Sequence, residues 1–260
     1  MKYKKELNAA IEAGKIARDI VLKIYESDFD VEIKDDNSPV TLADKMADKA
    51  MREYLGPLFP DCAFLTEESD DDLSRLTTDY VWIIDPVDGT KDFIHRDGEF
   101  TVCIALTYKG EVVVGVIVVP VLNEIYYATK GGEAYELFAD GSTKKLSVND
   151  KTSNLTATGS RHHLKPADNE YIEKHKDLIS NVITYGSTLK AIKIAKGEIE
   201  LFYRSGPGTK EWDIAAADII VTEAGGIFIG PDGKKFTYNK ADIHNRNGYL
   251  IVNRKENIRL

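Results

Sequence analysis

An apolar segment that runs directly into two carboxylates places the strongest constraint on this chain. Residues Tyr80 to Ile84 have the composition of a buried strand, and the sequence continues as Asp85-Pro-Val-Asp88-Gly-Thr. Charge beside a buried strand costs free energy unless it is paired. Asp-Pro and Asp-Gly are also common turn dipeptides, so this segment alone leaves two interpretations open: a turn, or a site that holds a cation.

The periodicity of the chain differs on the two sides of this segment. Apolar residues recur at helical spacing from Leu7 to Ile24, and a second helix is expected after an N-cap at Thr41, ending at Gly56-Pro57. From the apolar segment onward, β-branched and aromatic runs are separated by turn residues. This pattern predicts a largely antiparallel sheet.

Strands and helices alternate after about Val148, which is typical of an α/β unit. We therefore expect a protein that combines α+β and α/β organisation. An N-terminal α+β domain with the two carboxylates would span residues 1–150, and a smaller C-terminal α/β domain that binds the substrate would span residues 151–260. The two domains are expected to pack closely rather than to hang on a linker.

The composition argues against several classes of function. The formal net charge is −9 and no basic run is present, so a nucleic-acid-binding role is not expected. Two cysteines do not make a disulfide framework, and no stretch approaches the roughly 20 apolar residues of a membrane span. The N-terminus lacks the apolar core of a signal peptide, so we expect a cytoplasmic protein, with peripheral attachment to the inner membrane surface left open.

Further acids lie where ordinary structural explanations exist. Glu67 and Glu68 follow a short apolar run and could form a solvated surface. Asp213 falls in the first turn of a predicted helix, where it would complement the helix dipole. Asp44 lies three residues after Thr41, where it would complete a capping box. Each acid alone leaves a structural role and a ligand role open.

The residues that follow Asp88 indicate an anion site. Gly89 permits close backbone approach, and Thr90 supplies a hydroxyl at the start of a predicted short helix whose amides attract anions. The neighbouring carboxylates would repel that anion, and divalent cations between them would remove the conflict. Because clusters of carboxylate oxygens suit Mg²⁺, the pattern indicates a metal-assisted phosphatase.

The segments EES, WIIDPVDGTKDF and WDIAAAD, in this order and spacing, resemble the inositol-monophosphatase superfamily of Mg²⁺-dependent, lithium-sensitive phosphatases. The resemblance covers nearly the whole chain. It implies a layered αβαβα fold of the sugar-phosphatase type and two Mg²⁺ ions, with a third near Glu67 left open. It also implies in-line attack of water on the phosphate without a phospho-enzyme.

The same resemblance implies a role for each site residue. The implied metal ligands are Glu67, Asp85, the carbonyl of Val87, Asp88 and Asp213. Asp44 and Thr90 would orient the attacking water and take its proton, and Glu67 would share in catalysis by holding the ion that activates this water. Inhibition by lithium is the corresponding expectation.

Three further segments resemble one branch of the superfamily, the CysQ-type bisphosphate nucleotidases: DGTKDFIHRDGEFTVCIAL, GSRHH and YGSTLKAIKIAKGEIELFYR. That branch hydrolyses the 3′-phosphate of 3′-phosphoadenosine 5′-phosphate. The resemblance implies that both parts of the chain contact such a nucleotide. The expected substrate-binding residues are Asp88, Gly89, Thr90, Arg161, His163, Gly186, Ser187, Lys190, Arg204 and Asp213.

The chemistry of the C-terminal residues is consistent with a substrate that carries two phosphates. Gly186 and Ser187 precede a predicted helix and could present amides to a phosphate. Lys190 could reach the same anion, whereas Arg204 could pair with the second phosphate or stack on adenine. Ordinary roles stay open as well, such as a solvated Lys190 or a strand cap at Arg161.

The sequence departs from the pattern of this branch at three places. Thr188 replaces the second serine of GSSLK, which keeps the hydroxyl. RHH replaces RSH, which leaves the roles of His162 and His163 open, and the loop RSGPGTKEWD is one residue longer, which leaves base selectivity open. The alternatives are an inositol monophosphatase or related sugar phosphatase, and an idle nucleotide-binding module. The expected partner is a small phosphomonoester, and both a monomer and a homodimer stay open.

Overall fold

Helices and strands alternate in five layers, which we describe from a computed structural model for residues 2–28, 30–33 and 39–260. Within these residues the helices are α1 (Lys4–Tyr25), α2 (Leu42–Leu58), α3 (Thr90–Ile94), α4 (Pro166–Lys174), α5 (Leu189–Ala195) and α6 (Glu211–Glu223). None of these helices has both the length and the apolar character needed to cross a membrane.

The strands of the described residues form one short pair and two larger sheets. The pair is β1 (Val31–Ile33) with β2 (Pro39–Thr41). The first sheet contains β3 (Ala63–Thr66), β4 (Tyr80–Asp88), β5 (Thr101–Tyr108), β6 (Glu111–Val119), β7 (Glu124–Thr129), β8 (Ala134–Leu137) and β9 (Thr143–Lys145). The second contains β10 (Leu155–Ser160), β11 (Ile179–Tyr185), β12 (Leu201–Ser205), β13 (Ile227–Ile229) and β14 (Gly248–Val252).

The first sheet is largely antiparallel, which confirms the expectation from the sequence. Its strands follow chain order from β3 to β9. Only β3 and β4 pair in parallel among these described strands. Lys109 and Gly110 connect β5 to β6 with φ values of 53° and 80°, as a tight hairpin turn requires. The second sheet has the order β11-β10-β12-β14-β13 and mixes parallel with antiparallel pairs.

Alternation along β4 explains how the layers stack. Trp82 and Ile84 pack on α1 and α2, whereas Val81 and Ile83 point to the opposite face of the sheet, toward α5 and α6. The second sheet covers the other side of α5 and α6, and its outer face packs against Tyr171 of α4. The predicted αβαβα layering is therefore confirmed. The core between the sheets draws on residues from both sides of residue 150, and the domain boundary there stays a prediction.

Some local boundaries differ from those expected. Helix α2 contains Pro57 and ends at Leu58, because the Phe59 amide still donates to the Leu55 carbonyl at 3.0 Å. The helix expected in YIEKHKDLIS begins earlier, at Pro166, since proline suits the first helical position. Strands β8 and β9 have no counterpart among the expected strands, because runs of 4 and 3 residues carry little periodicity.

Gly115 lets α6 approach β6, and we predict that enlarging this residue destabilises the protein. A Cβ at this position would lie 2.4 Å from Cγ2 of Ile219 and 2.9 Å from the carbonyl oxygen of Ala216. Gly115→Ala should lower the free energy of unfolding by about 1–3 kcal/mol, as overpacking does. Urea unfolding followed by circular dichroism measures the change.

Gly56→Ala is the matched control for this substitution. A Cβ at Gly56 in α2 meets nothing within 4 Å. Alanine there should be neutral or stabilise the protein by about 0.5–1 kcal/mol. An unchanged stability in Gly115→Ala would contradict the close packing of α6 on the sheet.

Candidate metal and phosphate site

The turn after β4 brings the DPVDGT residues into one position at the end of the first sheet. Gly89 has a φ of 92°, a left-handed conformation that favours glycine, and it precedes α3. A side chain at this position would be strained and would lie 3.1 Å from Cβ of Ser187. The Gly89 carbonyl accepts a hydrogen bond from the amide of Phe93 at 3.0 Å, which closes the first turn of α3.

Carboxylates from two separate elements converge beside this turn. One oxygen from each of Asp85, Asp88 and Asp213 lies within 4.8 Å of the others. Asp85 is 1% exposed within β4, and the Val87 amide donates to its Oδ1 at 3.1 Å. Asp213 lies in the first turn of α6, where its Oδ2 accepts a hydrogen bond from the Lys210 amide. The position in the first turn of α6 that was expected for Asp213 is therefore compatible with its place among the converging carboxylates.

The crowding of these acids raises their proton affinity. The pKa of Asp85 is raised well above 3.8 by burial and by the negative charges of Glu67, Asp88 and Asp213. The pKa of Asp213 is raised in the same direction, by removal from solvent and by Asp88 and Glu67. A cation placed among these oxygens would relieve this repulsion.

Hydroxyl groups from the C-terminal half hold Asp88 in place. Its Oδ2 accepts hydrogen bonds from the Ser187 and Thr188 hydroxyls, from the Thr188 amide at 2.6 Å and from the Thr101 hydroxyl at 3.2 Å. Ser187 and Thr188 lie directly before α5. These bonds fix the position of Asp88 relative to the second sheet.

Asp44 and Thr90 meet beside the acidic group, although they lie 46 positions apart in the chain. The Thr90 hydroxyl is 3.5 Å from Oδ1 of Asp44 and 3.3 Å from the Val87 carbonyl oxygen. Oδ2 of Asp44 accepts from the Thr41 amide and hydroxyl at 2.8 and 2.6 Å, so the predicted capping box is confirmed. Burial raises the pKa of Asp44, and the charge of Glu67 adds to the effect.

The carboxylates of Asp85, Asp88 and Asp213 line a cleft of about 370 Å³ between the first sheet and the C-terminal half of the chain. Most of the expected site residues line it. These are Glu67, Asp85, Val87, Asp88, Gly89, Thr90, His163, Ser187, Lys190, Arg204 and Asp213. The cleft therefore joins residues that lie far apart in the sequence.

Two cations of the C-terminal half line the same cleft. Lys190 is 7% exposed, and its ammonium group donates to the carbonyl oxygens of Ser187 and Tyr185. A solvated position for Lys190 is therefore wrong. Its burial lowers its pKa to about 8. Arg204 is 6% exposed, donates to the carbonyl oxygen of His163 and lies 3.5 Å from Asp168.

Arg161 and Gly186 are not among the residues that line the cleft. The Arg161 guanidinium pairs with Glu99 at 2.7 Å, and the Gly186 amide donates to the same carboxylate at 2.6 Å. Because Glu99 already accepts from both donors, their contacts with a substrate stay predictions.

Three aromatic residues of the cleft wall were not predicted from the sequence. These residues belong to the second sheet: Phe202 lies in β12, Phe228 in β13 and Tyr249 in β14. The rings of Phe228 and Tyr249 are stacked with centroids 5.1 Å apart. Apolar residues on strands are ordinary core residues in a sequence pattern, so only the folded structure distinguishes these as cleft residues.

Comparisons with known proteins agree with this architecture. The profile of the inositol monophosphatase family matches residues 2–258. The chain is 34% identical to the 3′(2′),5′-bisphosphate nucleotidase CysQ of Salmonella typhimurium, over 95% of this chain and 99% of that protein. It is 32% identical to an inositol monophosphatase of Dictyostelium discoideum, over 88% of this chain and 86% of that protein.

Solved structures show the same fold. CysQ from Bacteroides thetaiotaomicron, a bacterial member of the inositol monophosphatase family, is similar with a TM-score of 0.84 and 34% identity, covering 98% of this chain and 99% of that chain. An IMPase of Thermotoga maritima gives a TM-score of 0.79 at 27% identity, covering 96% of this chain and 92% of that chain. The family match and these similarities extend over nearly the full length, so this chain belongs to the inositol monophosphatase family.

Proposed function

We propose that this protein is a metal-dependent phosphatase that removes the 3′-phosphate of 3′-phosphoadenosine 5′-phosphate, yielding AMP and phosphate. One observation carries the proposal: the converging carboxylates of Asp85, Asp88 and Asp213 share a cleft with the cations Lys190 and Arg204. The similarity to CysQ proteins favours a nucleotide with two phosphates. An inositol or sugar phosphate is the second candidate, because an inositol monophosphatase is among the similar proteins.

The donor atoms at the acidic end of the cleft fit Mg²⁺. Carboxylate oxygens converge there, and the repulsion that raises the pKa values of Asp85 and Asp213 is the condition that a divalent cation relieves. The ions would be held by Glu67, Asp85, the Val87 carbonyl, Asp88 and Asp213, with two Mg²⁺ proposed and a third near Glu67. When bound, such ions would polarise the phosphate and favour ionisation of a nearby water.

Asp44 and Thr90 would position the attacking water. Their side chains meet at 3.5 Å, so a water that bonds to the Thr90 hydroxyl can also donate to Oδ1 of Asp44. As the water oxygen attacks phosphorus, its proton would pass to this oxygen of Asp44. The raised pKa of Asp44 makes its carboxylate a better proton acceptor than an ordinary aspartate. The bond from phosphorus to the ribose 3′-oxygen would break on the opposite side, and this oxygen would take a proton from solvent to become the 3′-hydroxyl of AMP.

The C-terminal wall would bind the rest of the nucleotide. Lys190 and Arg204 present the positive charge that a second phosphate requires. Phe202 and Tyr249 offer aromatic surface toward the cleft, which suits a flat base. His163 also lines the cleft and is proposed as a base or ribose contact.

The substrate class is tested by phosphate release in Mg²⁺ from 3′-phosphoadenosine 5′-phosphate, inositol 1-phosphate and fructose 1,6-bisphosphate. We predict a preference for the nucleotide. Asp88→Asn should reduce kcat/KM by more than about 100-fold. Loss of a direct metal ligand lowers activity more than loss of a residue that only hydrogen-bonds to a ligand. Asp140→Asn, at an exposed turn, is the control and should retain activity.

The two other possible results of this experiment would each reject part of the proposal. Preference for inositol 1-phosphate would keep the mechanism and reject the nucleotide substrate. No hydrolysis of any phosphomonoester would reject a phosphatase and favour an idle binding module.

Removal of divalent cations should make stability decrease as the pH rises. The pKa values of Asp85 and Asp213 in the folded protein are raised above 3.8, so the folded state keeps protons that the unfolded chain has lost. The contribution of these two groups to stability is therefore fully present below the ordinary carboxyl pKa and is lost as the pH rises toward the raised values. Thermal unfolding from about pH 4 to about pH 8, in EDTA and in Mg²⁺, measures this dependence.

Mg²⁺ should raise the unfolding temperature most at the upper end of this pH range. Asp213→Asn should flatten the pH dependence in EDTA, because it removes one of the crowded charges. Identical pH profiles in EDTA and in Mg²⁺ would contradict a cation site at these acids.

Substrate affinity should weaken at alkaline pH because of Lys190. A lysine whose pKa is lowered to about 8 loses its charge as the pH rises through that value. We expect KM for the nucleotide to increase above this pH while kcat changes less. Lys190→Arg, which stays charged, should flatten the KM profile. If both proteins give the same profile, Lys190 does not contact the substrate.

A further inference from the structure

We propose that His95, Asp97 and His162 form a second metal site, for a transition metal such as Zn²⁺, beside the phosphate cleft. One ligand atom from each of these residues lies within 4.8 Å of the others. None of the three lines the cleft, so the group is separate from the acidic site. It joins the residues after α3 to the residues after β10, which belong to different halves of the chain.

His95 has the hydrogen bond that prepares an imidazole for metal binding. Its Nδ1 lies 2.8 Å from the carbonyl oxygen of Lys91. A carbonyl oxygen only accepts, so Nδ1 carries the proton and Nε2 keeps its lone pair. Metal-binding histidines commonly donate their second ring nitrogen to a carbonyl or carboxylate in this way.

His162 completes the group from the other half of the chain. Its Nε2 donates a hydrogen bond to Oδ2 of Asp97 at 2.7 Å, and a bound metal ion would take the place of this proton. The rings of His95 and His162 are stacked, with centroids 5.0 Å apart and planes inclined by 21°. Two imidazoles held this close can share a cation, whereas two imidazolium ions would repel each other.

Asp92, which also lines the phosphate cleft, gives a second observation that indicates a cation beside His162. It is 3% exposed, and its Oδ1 has no hydrogen-bond partner among the described residues. A buried, unpartnered carboxylate oxygen is costly. This atom lies 3.5 Å from Nε2 of His162, on the side of the ring nitrogen that also faces Asp97. A metal at His162 would place positive charge next to the unpartnered oxygen.

The surrounding charges are compatible with a cation. Arg161 lies 3.8 Å from Asp92, but its guanidinium is paired with Glu99 at 2.7 Å. The carboxylates of Asp92 and Asp97 both face Nε2 of His162, and Lys190 also acts on the charge of Asp92. The two metal sites differ in chemistry: oxygen donors select Mg²⁺, whereas two imidazoles and a carboxylate select Zn²⁺ and related ions.

The site is tested by titrating the full-length protein with Zn²⁺, and in parallel with Co²⁺, while Mg²⁺ in excess occupies the oxygen site. Calorimetry gives the affinity, and the visible absorption of Co²⁺ reports nitrogen coordination. We expect one Zn²⁺ per chain. Loss of a residue that only hydrogen-bonds to a metal ligand weakens metal binding by roughly 10–100-fold. His95→Ala and His162→Ala each remove a direct ligand and should weaken Zn²⁺ binding by more than this.

His244→Ala is the matched control, because His244 also pairs with an aspartate, Asp242, at 2.9 Å but lies outside the group. It should bind Zn²⁺ like the unaltered protein. His95 is exposed, so His95→Gln provides a variant whose folding is not at risk. Zn²⁺ affinity that is unchanged in the His95 variants, or lost equally in His244→Ala, would overturn the site, as would no Zn²⁺ binding at all.

Discussion

Electrostatic repulsion among carboxylates at one edge of the first sheet is the interaction on which the rest of the site depends. Asp85 is buried, and the charges of Glu67, Asp88 and Asp213 all raise its pKa. This repulsion destabilises the folded protein, and divalent cations bound among the carboxylates would relieve it. We therefore propose that the acids of the cleft, divalent cations and a substrate phosphate would form one charge-balanced unit.

The five-layer fold provides the rigidity that this arrangement needs. Helix α6 lies between the two sheets and carries Asp213 to the end of β4. Ser187 and Thr188 lie directly before α5, and their hydroxyl groups donate hydrogen bonds that hold the Asp88 carboxylate in place. Lys190 follows in the same segment and lines the same cleft, so the proposed metal ligand Asp88 and the proposed substrate contact Lys190 are held by neighbouring residues.

Sequence reasoning predicted the features that depend on neighbouring residues. The capping box of Thr41 with Asp44 and the turn after β4 follow from local chemistry. The meeting of Asp213 with Asp85 was accessible only through the family resemblance, because no local pattern relates α6 to β4. The hydrogen bond from the Gly186 amide to Glu99 was not predictable either, since the two residues lie 87 positions apart in the chain. A local sequence pattern does not show which residues far apart in the chain will be in contact.

The most direct test of this account is a crystal structure of the protein soaked in Mn²⁺, with the ion located by its anomalous scattering. Mn²⁺ prefers the same oxygen donors as Mg²⁺ and is visible by this method. The account predicts anomalous peaks among the carboxylates of Asp85, Asp88 and Asp213, and their loss in Asp213→Asn. A fully ordered cleft without a peak at these oxygens would contradict the claim that the acids hold divalent cations.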